Sequence, residues 1–402
     1  MKAIMYGAGN IGRGFIGALF SQSGYEVSFI DVAESVVSRL REDGAYPQRI
    51  VSNEGFTDIP VQNVTAIDGR DVDAVTDAIA EADIMATAVG VNVLKHVAPL
   101  IAAGLKKRFV NPRPLNIIIC ENLMDANKIL EGMLKSHMDE REQRLMDTYI
   151  GLVEASIGRM VPIQRPEMQD GNPLRVCVEK YDYLPVDKAA FVGEIPKLHN
   201  LVPFSPFDFY IKRKLYIHNM GHATCAYLGQ LAGNTYIYES IAIPHIRLMV
   251  HNAMLESAFA LSARYGVNAG DISMHIDDLL VRFQNAALGD TCARVGADAR
   301  RKLSPADRMI GSASLCMEER SIPVFICLGA GAAVHAFLAQ ENLEQSEKNA
   351  KKALLEVSGL SKDSALLPVI LEFHALFAAH TPLEAVLRRA DALRSAHRGP
   401  II

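Results

Sequence analysis

Lys2-Ala3-Ile4-Met5-Tyr6-Gly7-Ala8-Gly9-Asn10-Ile11-Gly12 is the stretch that decides the fold. A short apolar run fit for a buried strand passes without a spacer into Gly-x-Gly-x-x-Gly, and a helical pattern follows over residues 11–22. Each glycine has a separate physical task. The first permits the tight turn, the second lets the backbone approach a pyrophosphate, and the third allows close helix–strand packing. The helix then points its N-terminus at the phosphates. A second apolar run, residues 25–31, ends in Asp31, 19 residues after Gly12. A carboxylate at that distance suits the adenosine ribose hydroxyls and repels a 2′-phosphate, so the spacing favours NAD over NADP. Gly7, Ala8, Gly9, Asn10, Ile11, Gly12 and Asp31 are therefore the candidate cofactor residues.

Working outward, further apolar runs at residues 84–89 and 116–120 alternate with helical stretches, as in a parallel sheet covered on both faces. The first closes on Ala88-Val89-Gly90, where small residues at a strand end suit close contact with a dinucleotide. Runs at residues 153–159 and 174–183 are expected to extend the same sheet. From about residue 196 the pattern changes. A Pro- and Phe-rich loop leads into stretches of 3.6-residue periodicity at residues 212–231, 246–265, 272–285 and 344–356. The expected architecture is an α/β Rossmann-type domain over residues 1–195 and an all-α domain over 196–402, with a cleft in a shared interface. A second glycine pair, Gly329-Ala330-Gly331, follows the strand-like residues 324–328. It has Val334 where a third glycine is needed, and a helical stretch follows in place of a second strand.

The chain has 402 residues, with 41 Lys+Arg against 46 Asp+Glu, a formal net charge of −5. The length suits two or three domains with ample core. Without a basic excess the chain does not read as a nucleic-acid binder, and the expected partner is a small-molecule substrate. Cys120, Cys177, Cys225, Cys292, Cys316 and Cys327 form no Cys-x-x-Cys pair and mostly sit in apolar runs, as buried thiols do in a reducing cytoplasm. No group of His, Cys and Glu has metal-ligand spacing, so no metal is expected. The opening residues do not read as a signal peptide. Residues 322–339 lack any Asp, Glu, Lys or Arg but carry Pro323, Gly329, Gly331 and His335, which reads as a buried core helix and not a membrane span. Oligomeric state is left open by the sequence.

Lys214, Asn219 and His222 fall within an arc of about 140° if their stretch is α-helical, so all three could line one site. A desolvated lysine can take a hydroxyl proton. An asparagine amide can donate to an oxygen gaining negative charge, and a histidine can hold a neighbouring hydroxyl. Gly221 is expected to keep the helix thin where a ligand approaches. On pattern alone the same residues could be the polar face of an ordinary amphipathic helix. Downstream, Arg294, Arg300, Arg301, Lys302 and Arg308 form the densest positive run of the second half. It would suit a substrate phosphate, or a solvated face paired with Asp298 and Asp307.

The run from Arg213 through Lys214, Asn219, His222 and Ala223 to Gly229 resembles the signature of the long-chain mannitol (polyol-specific) dehydrogenases. Residues 7–17, Thr87-Ala88-Val89-Gly90, Cys120-Glu121-Asn122 and Arg282-Phe283 with Asn285 match that family too, in order from residue 1 to about 310. The resemblance implies a Rossmann domain plus a helical domain like that of 6-phosphogluconate dehydrogenase. It implies metal-independent, NAD-dependent oxidation of a hexitol phosphate, mannitol 1-phosphate to fructose 6-phosphate. It assigns the general base to Lys214, polarisation of the oxygen to Asn122 and Asn219, and substrate orientation to His222. Arg294, Arg300, Arg301 and Lys302 become candidate substrate ligands. Within the family a non-phosphorylated polyol or hexuronate substrate is the alternative. A non-catalytic NAD-binding regulatory protein is the reading outside it. One departure stands out: many members carry Asp-Arg before the Met160-Val161-Pro162 segment, where this chain has Gly158-Arg159.

Overall fold

The computed structural model describes residues 1–123, 125–162 and 164–398. The strands, in chain order, are β1 (Lys2–Tyr6), β2 (Glu26–Asp31), β3 (Ala45–Ser52), β4 (Gly55–Gln62), β5 (Val64–Asp68), β6 (Ile84–Thr87), β7 (Leu115–Ile119), β8 (Ile150–Glu154), β9 (Val176–Val178), β10 (Leu184–Asp187) and β11 (Leu201–Phe204). The chain divides into two compact units, Met1–Asp208 and Phe209–Ile402. Residues 196–208 fall in the first, where β11 pairs with β10.

In the first unit six strands form one parallel sheet in the order β5-β2-β1-β6-β7-β8. The apolar runs read as strands because both sheet faces are covered. Alternate residues feed opposite cores: Ala3 and Met5 pack with Phe15, Phe29 and Tyr46. Ile4 and Tyr6 pack instead with Ile30, Ile101 and Leu105. From β1 the chain moves outward to β2 and β5, then returns to β6, β7 and β8 on the other side. That reversal makes a topological switch point between β1 and β6, the place where open α/β sheets hold their ligands beyond the carboxyl ends of the strands.

One expectation changes here. Of the run at residues 153–159 only 153 and 154 extend the sheet, as the end of β8. The run at 174–183 does not: β9 lies parallel to β3, in a separate three-stranded sheet ordered β4-β3-β9. There Arg49 and Arg175 share Asp58 across neighbouring strands, at 2.7 and 3.6 Å, which holds two like charges side by side. The helix Val324–Gln340 agrees with the buried core helix read over residues 322–339, and residues 324–328, strand-like when taken alone, are its opening. A short apolar run has no periodicity of its own to separate strand from helix, and this helix is buried on nearly every side.

The second unit is built of helices, and among its described residues there is no strand beyond the bridge Tyr236–Thr291. Val324–Gln340 is its centre, packed against Met220–Leu231, Pro244–Tyr265 and Leu366–Ala378. Glycines let these helices touch: a side chain at Gly331 would meet the Phe373 Cβ at 2.8 Å. Among the described residues no helix is long and apolar enough to cross a membrane. The six cysteines are buried.

Candidate functional site

In the first unit the site grows from the loop after β1. Gly7 has φ +102°, and its N–H donates to the Ile30 carbonyl at 2.8 Å. A Cβ on Gly7 would lie 2.5 Å from the Ala88 oxygen, and one on Gly12 would overlap the Gly7 carbonyl. Gly9, by contrast, faces open space. The loop is thus closed inward by two glycines and left clear for a ligand at the third. A helix follows from Asn10, with the π-helical turn Gly12–Ile16 set into it after its first two residues. At the end of β2 the Asp31 carboxylate accepts the N–H groups of Ala8 (2.7 Å) and Ala33 (3.0 Å), which places it against the glycine loop. Beside it, the N–H groups of Val89 and Gly90 donate to the Glu121 carboxylate at 3.0 and 2.8 Å.

Gly7 to Gly12, Asp31 and Ala88 to Gly90 therefore come together at the switch point, and the open cradle at Gly9 with the Asp31 carboxylate on the neighbouring Ala8 N–H fits a dinucleotide. Two supports were not found from the sequence. Glu121 braces the Val89–Gly90 turn from the end of β7. The buried Arg13 donates through Nε to the Ala8 carbonyl at 2.7 Å and through Nη1 to the Leu174 carbonyl, tying the loop down from behind. Asn122, which follows Glu121, is exposed.

In the second unit Lys214 and Asn219 are the two ends of a π-helical turn, Lys214–Asn219, set between Asp208–Arg213 and Met220–Leu231. The i→i+5 bonding of such a turn brings the two residues closer around the axis than the ~140° of α-helical geometry. Lys214, Asn219 and His222 are all half-buried. Gly221 does something other than expected. Its missing side chain makes room for Met254, whose sulfur would sit 2.6 Å from a Cβ there, so it serves helix packing.

The His222 ring stacks on Phe283, centroids 4.7 Å apart and planes 15° from parallel. Its Nε2 lies 3.3 Å from the Asp290 carboxylate, whose other oxygen accepts from Arg294 Nε at 2.7 Å. Burial alone would push the Asp290 carboxyl up, but hydrogen bonds and charge from His222 and Arg294 outweigh it and hold the group below the ordinary carboxylate range. The neighbouring His218 is buried. Burial first, then the charge of Arg282 and other groups including Lys214, holds it well below the usual histidine range, so it is a neutral wall.

The basic run splits. Arg294 joins His222 through Asp290. Arg300 pairs with Glu341 at 3.2 Å, and Arg301 with Asp298 and Asp307 at 2.7 and 3.0 Å. Arg308 also pairs with Asp307, at 2.8 Å. Lys302 is buried and donates to the Ala297 carbonyl; burial, with Arg308 and Arg301 nearby, lowers it to about 8. A separate cavity of about 700 Å³, lined by Tyr227, Gln230, Ala297, Asp298, His335 and Gln340 among others, contains none of the candidate residues. Asp290 was missed from the sequence, although its i,i+4 spacing to Arg294, just ahead of the short helix Cys292–Gly296, is a readable signal.

Set beside known proteins, the chain matches two family models, the mannitol dehydrogenase Rossmann domain over residues 1–200 and the mannitol dehydrogenase C-terminal domain over residues 207–358. It is 37% identical over 360 residues to the mannitol-1-phosphate 5-dehydrogenase of Brevibacillus brevis, covering 89% of this chain and 91% of that protein. Among solved structures it is similar to a D-sorbitol dehydrogenase in substrate-free form, with TM-score 0.79, 13% identity and 95% of each chain covered. It is also similar to the Pseudomonas fluorescens mannitol 2-dehydrogenase in ternary complex with NAD and D-mannitol, with TM-score 0.74 and 13% identity, covering 98% of this chain and 94% of that one. At that identity the two structures establish a common fold.

Proposed function

The chain belongs to the mannitol dehydrogenase family, and from that premise we propose that it is an NAD-dependent oxidoreductase acting on the CH–OH group of a hexitol phosphate. The reaction is the oxidation of mannitol 1-phosphate to fructose 6-phosphate. The likeness along nine-tenths of the chain to an enzyme of that name carries the choice of substrate. Bound NAD would supply the acceptor for the hydride of the carbinol carbon.

The chain's own residues do the rest. The glycine loop and the helix behind it receive the pyrophosphate, and Asp31 accepts the ribose hydroxyls. Lys214 takes the hydroxyl proton on Nζ as the hydride leaves. The amides of Asn122 and Asn219 donate to the oxygen as negative charge builds on it, a contribution larger in the alkoxide-like transition state than in the bound alcohol. His222 holds an adjacent substrate hydroxyl, and of the four basic candidates Arg294, joined to His222 through Asp290, is the ligand proposed for the far end of the substrate; Arg300 and Arg301 are engaged by carboxylates and the buried Lys302 by the Ala297 carbonyl. A lysine base makes a metal ion unnecessary. Six buried thiols and a nicotinamide cofactor fit a reducing cytoplasm.

One observation favours a second reading, oxidation of an unphosphorylated polyol or reduction of a hexuronate. Arg300 and Arg301 are already paired with carboxylates, so a phosphate would have to compete for them. A panel of mannitol 1-phosphate, mannitol, arabinitol and fructuronate, followed by NADH absorbance with and without a chelator, separates the two. The first reading expects turnover with mannitol 1-phosphate, unaffected by the chelator. Preference for an unphosphorylated substrate overturns it, and no turnover with any substrate returns the chain to a binding role.

A further inference from the structure

Asp290 sits where two candidate substrate groups meet. One carboxylate oxygen is 3.3 Å from His222 Nε2, and the other accepts from Arg294 through Nε at 2.7 Å and through Nη2. The carboxylate is mostly enclosed, its side chain 13% exposed. Its mount is firm as well. The Ile237 N–H donates to the Asp290 carbonyl and the Cys292 N–H to the Thr235 carbonyl, both at 2.9 Å, and Thr291 caps the short helix that carries Arg294.

The chemistry of the pair is directional. An ionised carboxylate can only accept, so the hydrogen between them belongs to His222 Nε2. In the neutral imidazole this leaves Nδ1 without a hydrogen, an acceptor for a substrate O–H. Stacking on Phe283 fixes the plane of the ring, and Asp290 fixes which nitrogen faces which way. The same carboxylate sets the direction of the Arg294 guanidinium. We propose that Asp290 is a positioning residue of the polyol site: it selects the Nε2–H form of His222 and holds Arg294, so that one acceptor and one cationic donor are presented to the substrate in fixed register. The inference rests on His222 being the substrate-orienting group.

An Asp290→Asn variant tests it. The amide keeps the shape but can offer N–H as readily as C=O to the ring, so the tautomer is no longer dictated. The expected result is a rise of about 10-fold or more in KM for the alcohol that turns over, the size of a lost charge-assisted hydrogen bond. The value of kcat should stay within about threefold, because the reacting oxygen is left alone, and KM for NAD should not move. In a His222→Ala, Arg294→Ala background the same substitution should add nothing, since the residues through which it acts are gone. An unchanged KM for the alcohol, a fall in kcat alone, or a full additive effect in that background overturns the proposal. Nitrogen NMR of the histidine rings in the unsubstituted protein decides the point without any variant: His222 with its hydrogen on Nδ1 is incompatible with the proposal. A His222→Ala protein with unchanged KM would instead sink the premise about His222, leaving the hold of Asp290 on the ring to be read by NMR.

Discussion

Two backbone N–H groups, those of Ala8 and Ala33, already converge on the Asp31 carboxylate. The residue closes the glycine loop, and the proposed function gives it a second job, accepting from the ribose. Asp31→Asn separates them: the amide oxygen can still accept from Ala8, but the charge is gone. The expected outcome is a folded protein whose KM for NAD rises roughly 10-fold and whose discrimination against NADP shrinks, because nothing now repels a 2′-phosphate. Steady-state kinetics with both nucleotides checks this, and discrimination as strong as before would remove Asp31 from the ribose. Asp31 was legible because its distance from Gly12 is set by the strand–helix–strand unit itself. The pairings of Glu121 with the Val89–Gly90 turn and of Asp290 with His222 were not legible. Their N–H and His222 partners lie 31 to 68 residues away in the chain, so only folding creates the pair.

At the level of elements, the described residues contain two π-helical turns, Gly12–Ile16 and Lys214–Asn219. Both fall on the motifs singled out in the sequence, in keeping with the tendency of such turns to sit at functional sites. The sequence shows the residues but not the turn, since hydrophobic periodicity over five or six residues cannot separate i→i+5 from i→i+4 bonding. The hairpin of β3 and β4 escaped reading for another reason. It carries Pro47 and Pro60, and β4 is largely exposed, so it lacks the apolar run that marks β1, β6 and β7. The helix Leu366–Ala378 carries a buried His374 whose Nε2 lies 3.1 Å from Gln345 Oε1. Burial, then His335 nearby, lowers it from 6.5 to about 4. Between those two pH values the unfolded chain binds a proton that the native state refuses, so stability must fall on acidification through that window and be unaffected above it. The loss reaches about 3 kcal/mol at most. Urea midpoints measured from neutral pH to pH 4 should therefore fall less steeply in His374→Gln than in the unsubstituted protein, and parallel curves would show that His374 does not titrate as described.

Across the whole molecule the net charge of −5 conceals how the work is divided. Every candidate dinucleotide group, from Gly7 to Gly12 with Asp31 and Ala88 to Gly90, belongs to Met1–Asp208. Lys214, Asn219, His222 and the basic run belong to Phe209–Ile402. Binding of NAD and loss of the substrate proton should then be separable by single substitutions. Lys214→Ala is expected to lower turnover at neutral pH by a factor of about 100 or more, the usual worth of a positioned base. It should keep the stabilisation that a saturating ligand confers, about 2.7 kcal/mol at 100 times its Kd. Gly12→Ala should do the reverse at its root. Its added methyl meets the Gly7 carbonyl, so the loop cannot close and the NAD-dependent shift in unfolding should disappear along with activity. Unfolding curves with and without NAD, run beside initial rates, read both quantities on the same samples. Near-normal turnover in Lys214→Ala would remove the proton from Lys214, and loss of the NAD shift in that variant would move the lysine from the alcohol to the dinucleotide.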